Sequence, residues 1–132
     1  MQLKWWKILG IILVLYSIIA GLLMPVPKLN ILNETIRNLY FHVTMWFSMI
    51  LLMFSSMKQS LQFLNGFDKI HDLKAETYAS TGIFMGLLGL TTGMIWAQYT
   101  WGTFWVWDAR ITSMVILALF YFIFITTHKL VF

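Results

Sequence analysis

Long apolar runs alternate with short polar intervals along these 132 residues, and the pattern predicts four membrane-crossing helices. The first run covers about residues 8–24 and stops at Pro25-Val26-Pro27, since proline cannot continue a helix. The others cover about 38–57, 78–97 and 111–127. Each approaches the ~20 apolar residues needed to cross a bilayer. Lys4 and Lys7 before the first run give it the look of a signal peptide, but the run is long and no small-residue cleavage site follows, so it reads as a retained span. The expected fold class is all-α: an integral membrane bundle of about four helices, forming one domain over residues 1–132.

Charge sets the expected orientation. With four spans, the N-terminus, the Lys58–Thr77 loop and the C-terminus share one side, which carries Lys4, Lys7, Lys58, Lys69, Lys74 and Lys129. The other side carries Lys28, Arg37 and Arg110. The excess places both termini in the cytoplasm and the loops 25–37 and 98–110 outside. Within the cytoplasmic loop, Leu61, Leu64, Phe67, Ile70 and Leu73 recur every three residues, and Asn65-Gly66 is expected to break any continuous helix. A stretch lying on the membrane surface is expected there, with a docking surface for a cytoplasmic partner as the alternative.

Composition agrees and excludes whole function classes. Sixty per cent of residues are apolar and 11% charged, whereas about a quarter are charged in soluble domains. There is no cysteine, hence no disulfide or thiolate chemistry. The net charge of +4 is spread out, with no basic run longer than two residues, so no nucleic acid is expected as a partner. No nucleophile–base pair, phosphate loop or carboxylate dyad is apparent, so the chain does not read as an enzyme. In the third run, Gly82, Gly86, Gly89 and Gly93 fall on one helical face and predict close helix packing.

Two constellations carry candidate chemistry. Trp96, Tyr99, Trp101, Phe104, Trp105 and Trp107 crowd the segment that ends in Asp108-Ala109-Arg110. An interfacial aromatic belt is one reading; a platform of rings for a large, flat, apolar ligand is the other. The second is Arg37-Asn-Leu-Tyr40-Phe-His42-Val43-Thr-Met-Trp46. It starts the second span on the same expected face and puts an ionisable residue where one is costly. His42 reads either as an interfacial hydrogen-bonding group or as a ligand to haem iron. Arg37 and Arg110 suit the two haem carboxylates, while Asp108 orients Arg110 or, better, caps the fourth helix. His71 reads as solvated. His128 lies a whole span, ~25–30 Å, from His42, so the two cannot clamp one metal.

The stretch Trp101-Gly-Thr-Phe-Trp105-Val-Trp107-Asp108-Ala-Arg110-Ile-Thr-Ser113 closely resembles the tryptophan-rich "WWD" signature of haem-handling membrane proteins: CcmC, the haem lyase subunit CcmF and the cytochrome c synthase component CcsA. Arg37, Tyr40, His42 and Val43 are similar to the histidine motif R-x-x-Y-x-H-V-P of CcmC. The match is specific over residues 37–46 and 96–113, and elsewhere only hydropathy agrees. The resemblance implies a non-enzymatic protein of the bacterial cytoplasmic membrane that presents haem at the outer, periplasmic face. The haem would be b-type, non-covalent and transient, held by His42 on its iron and by the tryptophan loop, with Trp96, Trp101, Trp105, Trp107, Asp108, Arg110, Arg37 and Tyr40 around it. Implied partners are an ABC-type complex, a small helper membrane subunit and a CcmE-like haem chaperone. The alternatives are a lyase or synthase subunit, disfavoured by the short chain, and a scaffold without haem.

Two departures stand out. Thr44 replaces the motif's proline, leaving the start of the second span less defined. Family members have six spans and a second ligating histidine between the fifth and sixth. Four spans lead to the expectation of a truncated product, a fragment, or a reduced form that borrows its second ligand.

Overall fold

The computed structural model describes residues 4–28, 30 and 33–131; the side chains of residues 33, 110 and 129–131 lie outside that description. Four α-helices follow in order: α1 (Trp5–Leu23), α2 (Asn38–Gly66), α3 (Lys69–Trp101) and α4 (Ala109–Val131), with a 3-10 turn at Asn33–Arg37 leading into α2. No strand occurs among the described residues. Four helices are long and apolar enough to cross a membrane, so the fold is an all-α membrane bundle. Most large apolar side chains point outward, the arrangement expected where lipid rather than water surrounds the helices.

The heart of the bundle is the α2–α3 pair, which packs far more extensively than any other two elements. The glycine stripe explains why. His42, Trp46, Met49 and Met53 of α2 lie antiparallel against Gly93, Gly89, Gly86 and Gly82 of α3. A Cβ added at these glycines would come within 2.7, 3.2, 2.7 and 3.1 Å of the facing side chains. Each large residue thus occupies the space that the absent Cβ leaves, which lets the two backbones approach closely. The stripe was expected to be packing; its last step also seats a histidine.

The cytoplasmic loop expected over residues 58–77 is not a loop. Both helices run on until only Phe67 and Asp68 separate them. Phe67 is left-handed (φ 51°) and closes α2 by donating its N–H to the Phe63 carbonyl, while the Asp68 carboxylate caps α3 by accepting from Ile70 N–H at 3.0 Å. At 1.5 Å per residue, the 29 residues of α2 and 33 of α3 extend ~43 and ~50 Å, beyond a hydrocarbon core of ~30 Å. Inter-helix polar pairs stabilise this extension. Ser56 donates to the Ala75 carbonyl at 2.8 Å, and His71, expected to be solvated, bonds Gln59 at 2.7 Å. Leu61, Leu64, Phe67, Ile70 and Leu73 are exposed on this helical hairpin rather than on a segment lying flat.

The outer helices attach at their ends. Tyr121 OH of α4 donates to the Met53 carbonyl at 3.3 Å, and His128 Nε2 lies 2.6 Å from Asp72 Oδ2, with Nδ1 3.7 Å from Glu76. At the opposite end of the bundle, Arg37 pairs with Glu34 at 2.7 Å and donates to the carbonyls of Gly21 and Met24. It thereby satisfies acceptors that the end of α1 leaves open. Arg37→Ala should undock α1 and destabilise the protein by about 1.5–3 kcal/mol, the range for hydrogen bonds to a charged group. A thermal midpoint in detergent lowered by about 5–11 °C is expected; an unchanged midpoint would refute the attachment.

Candidate functional site

The site sits at the end of the bundle where α1 meets α2 and α3 meets α4. The 3-10 turn passes directly into α2, and Thr44, where a proline was the expected motif residue, has the backbone N–H that proline lacks, so α2 runs on through it while its hydroxyl shares one proton between the carbonyls of Tyr40 (2.7 Å) and Phe41 (2.9 Å). His42 therefore faces α3 from the second turn of α2. Its Nδ1 lies 2.9 Å from the Gly89 carbonyl and 3.3 Å from Thr92 Oγ1. A carbonyl only accepts, so Nδ1 carries the proton and Nε2 holds the lone pair. That lone pair accepts a hydrogen bond from the Trp46 indole N–H at 3.0 Å, and the two rings stand edge to face, 80° apart. Asn38 adds a bond to the Thr92 carbonyl at 2.9 Å, pinning the start of α2 to the same turn of α3.

Gly102 ends α3. Its φ of +75° is a left-handed conformation that suits glycine at a helix C-terminus, and its N–H donates to the Gln98 carbonyl. The chain then crosses to α4 through a short segment that Thr103 organises: its hydroxyl donates to the Trp105 carbonyl at 3.0 Å. Asp108 begins α4 as a cap, accepting from Ile111 N–H at 2.9 Å, the role expected for it. Trp96 packs edge to face with Trp101, centroids 5.6 Å apart, and Trp105 with Trp107 at 5.4 Å.

These two regions enclose one cleft of about 290 Å³. His42, Trp96, Trp101, Trp105 and Asp108 all line it, joined by Trp46, which sequence reasoning did not single out. The signal for Trp46 was its spacing: four residues after His42 puts it on the same helical face. The walls are otherwise apolar. The indole N–H groups of Trp96 and Trp105, two residues of this lining, are buried and find no acceptor among the described residues, although such a buried donor costs about 1–3 kcal/mol. The cleft thus offers apolar and aromatic walls with one imidazole at its edge. No cluster of three or more His, Cys, Asp or Glu able to hold a bare metal ion exists among the described residues.

Other expected site residues lie elsewhere. Arg37 turns to α1 and Glu34, and Tyr40 is half exposed outside the cleft. Trp107 is 80% exposed and backs Trp105 rather than lining the cleft. The side chain of Arg110 is outside the described residues. His128 lies with Asp72 at the other end of α3, 17 residues from Gly89, which corresponds to ~26 Å.

Comparison with known proteins gives a consistent picture. Residues 1–131 match the family described as Heme exporter protein C, CcmC. A "Putative cytochrome c biosynthesis ccmC-like mitochondrial protein" of Marchantia polymorpha is 38% identical over 89 residues, 67% of this chain and 39% of that protein. The "Heme exporter protein C" of Paracoccus denitrificans is 37% identical over 89 residues, 67% of this chain and 37% of that protein. A ccmC-like mitochondrial protein of Arabidopsis thaliana is 40% identical over 86 residues, 64% of this chain and 33% of that protein. The aligned stretch thus spans well under half of each relative. No solved structure is a significant match.

Proposed function

The chain belongs to the Heme exporter protein C (CcmC) family, and on that premise we propose that it is a membrane haem-handling protein of c-type cytochrome biogenesis. It holds haem in the cleft at the outer face of the bacterial cytoplasmic membrane and gives it to a haem chaperone. The observation that carries this reading is a convergence. His42, on α2, and the tryptophan segment more than fifty residues later line one cleft.

The residues suit this cargo. Haem brings a Lewis-acidic iron that takes a neutral imidazole nitrogen. The Gly89 carbonyl keeps the proton of His42 on Nδ1, so Nε2 is the atom that would hold the iron. The Trp96–Trp101 and Trp105–Trp107 pairs offer flat faces to the macrocycle, and the buried indole donors of Trp96 and Trp105 suit its carboxylates or ring edge. At about 290 Å³ the cleft is small beside ligand pockets of about 300–1,000 Å³. It grips part of the macrocycle and leaves the rest accessible to an acceptor. Of the three histidines only His42 lines the cleft, and it would hold the iron. Tyr40, Trp107 and Arg110 complete the proposed haem-holding set, Arg110 by its charge toward the haem carboxylates, and Arg37 enters that set only by releasing Glu34 and the end of α1. The excess of lysines at the other end of the bundle supports an outward mouth. An ABC-type complex, a helper subunit and a CcmE-like chaperone are the proposed partners. The protein transfers haem and performs no covalent chemistry on it.

Spheroplasts expressing the chain test this. Membranes should carry a Soret-absorbing haem, and an apo-globin added outside intact spheroplasts should withdraw it. Membranes without haem would favour the scaffold reading, and release only from inverted vesicles would overturn the outward orientation.

A further inference from the structure

The hydrogen bond between Trp46 and His42 occupies the very lone pair that an iron would need. Trp46 Nε1 lies 3.0 Å from His42 Nε2, the other ring nitrogen being committed to the Gly89 carbonyl. Both residues line the cleft. Trp46 is itself held against α3, where a Cβ on Gly89 would come within 3.2 Å of its ring, so its indole N–H is aimed by packing. We propose that Trp46 is an internal competitor for the haem ligand: it caps His42 Nε2 when the cleft is empty and must release it when iron binds. The inference rests on the haem-handling reading above and adds a specific role for a residue four positions from the ligand. The exchange is balanced. One N–H···N hydrogen bond breaks, one N–Fe coordinate bond forms, and no proton or electron moves.

The physical consequence is a deliberately weakened ligand. A transfer protein needs iron ligation strong enough to capture haem and weak enough to return it. An indole N–H poised to recapture Nε2 lowers the affinity and assists departure as the iron leaves. Together with the Gly89 carbonyl it also fixes the imidazole ring in one orientation at the cleft, with the lone pair on Nε2, so that the ligand is oriented before haem arrives. The competition acts on iron coordination alone. Stacking of the macrocycle on the tryptophan walls is the same with or without a metal at its centre.

That distinction supplies the test. Haem and metal-free protoporphyrin are titrated separately into the purified full chain and into Trp46→Phe, which keeps an aromatic ring and deletes the donor. The readout is the ratio of the two affinities, which cancels any change in the packing of the wall. The ratio of haem to metal-free affinity should rise about 3- to 10-fold in Trp46→Phe, the range for losing one competing hydrogen bond, and haem transfer to apo-globin should slow correspondingly. An unchanged or lower ratio would overturn the proposal, because Trp46 would then only pack or only support His42. A second readout needs no variant. In protein labelled with ¹⁵N-tryptophan, the Trp46 indole N–H resonance should move further on adding diamagnetic zinc protoporphyrin, which takes one axial nitrogen, than on adding metal-free protoporphyrin, whose ring current alone acts on it. Equal movement with both would likewise refute it. Failure of the underlying reading looks different: haem would then bind wild type with no dependence on His42, whatever Trp46 does.

Discussion

Gly93→Ala should leave the four helices standing and strip the cleft of its ligand. A methyl at this position would lie 2.7 Å from His42 Cε1 and 3.2 Å from Nδ1, closer than atoms tolerate. Something must move. The α2–α3 backbone is fixed along its length by three further glycine contacts and by the Ser56–Ala75 bond, so the imidazole gives way. Rotating it away breaks the bond from Nδ1 to the Gly89 carbonyl and turns Nε2 from the cleft. Overpacking of a tight site costs about 1–3 kcal/mol, which corresponds to haem binding weaker by about 5- to 150-fold. Gly10→Ala is the matched control: nothing lies within 4 Å of a Cβ there, and haem content should not change. Circular dichroism of Gly93→Ala should match wild type while its Soret band falls. A Gly93→Ala protein that binds haem as tightly as wild type would show that His42 is not held by this contact.

This result would join two features that the sequence presents as unrelated. The stripe Gly82, Gly86, Gly89, Gly93 is readable as a packing face from its spacing alone, and His42 as a candidate ligand from its chemistry. Nothing in one helix tells which residue of another will lie over each glycine. That depends on the register of the antiparallel pair, which puts His42 over Gly93. The four spans, the cap at Asp108 and the aromatic character of the segment from Trp96 to Trp107 were legible, because each is local: a run of apolar residues, a preferred capping side chain, a composition. The hairpin at Phe67 was not. Gln59, His71, Asp72 and Glu76 make residues 58–77 look like a polar loop at the membrane surface, yet all four pair across helices, and such partners are invisible along one chain. Arg37 teaches the same lesson. An arginine expected on the outer side is chemically suited to a carboxylate guest, but the exposed carbonyls at the end of α1 and Glu34 reach it first.

The largest effect should come from His42 itself. It is the only histidine at the cleft, and the apolar walls provide stacking without iron coordination. His42→Ala should therefore retain porphyrin binding through the tryptophans while losing the coordinate bond. A loss of at least about 100-fold in haem affinity, ~2.7 kcal/mol, is expected. The alanine also leaves a space the size of the lost ring, beside the Gly89 carbonyl and the Trp46 indole that held it. Free imidazole fits that space chemically, with its N–H toward Gly89 and its bare nitrogen toward the cleft. The decisive measurement is the Soret spectrum of purified His42→Ala, with and without millimolar imidazole. The haem band should be lost in the variant and regained with imidazole. An undiminished Soret band in His42→Ala, unaffected by imidazole, would contradict it.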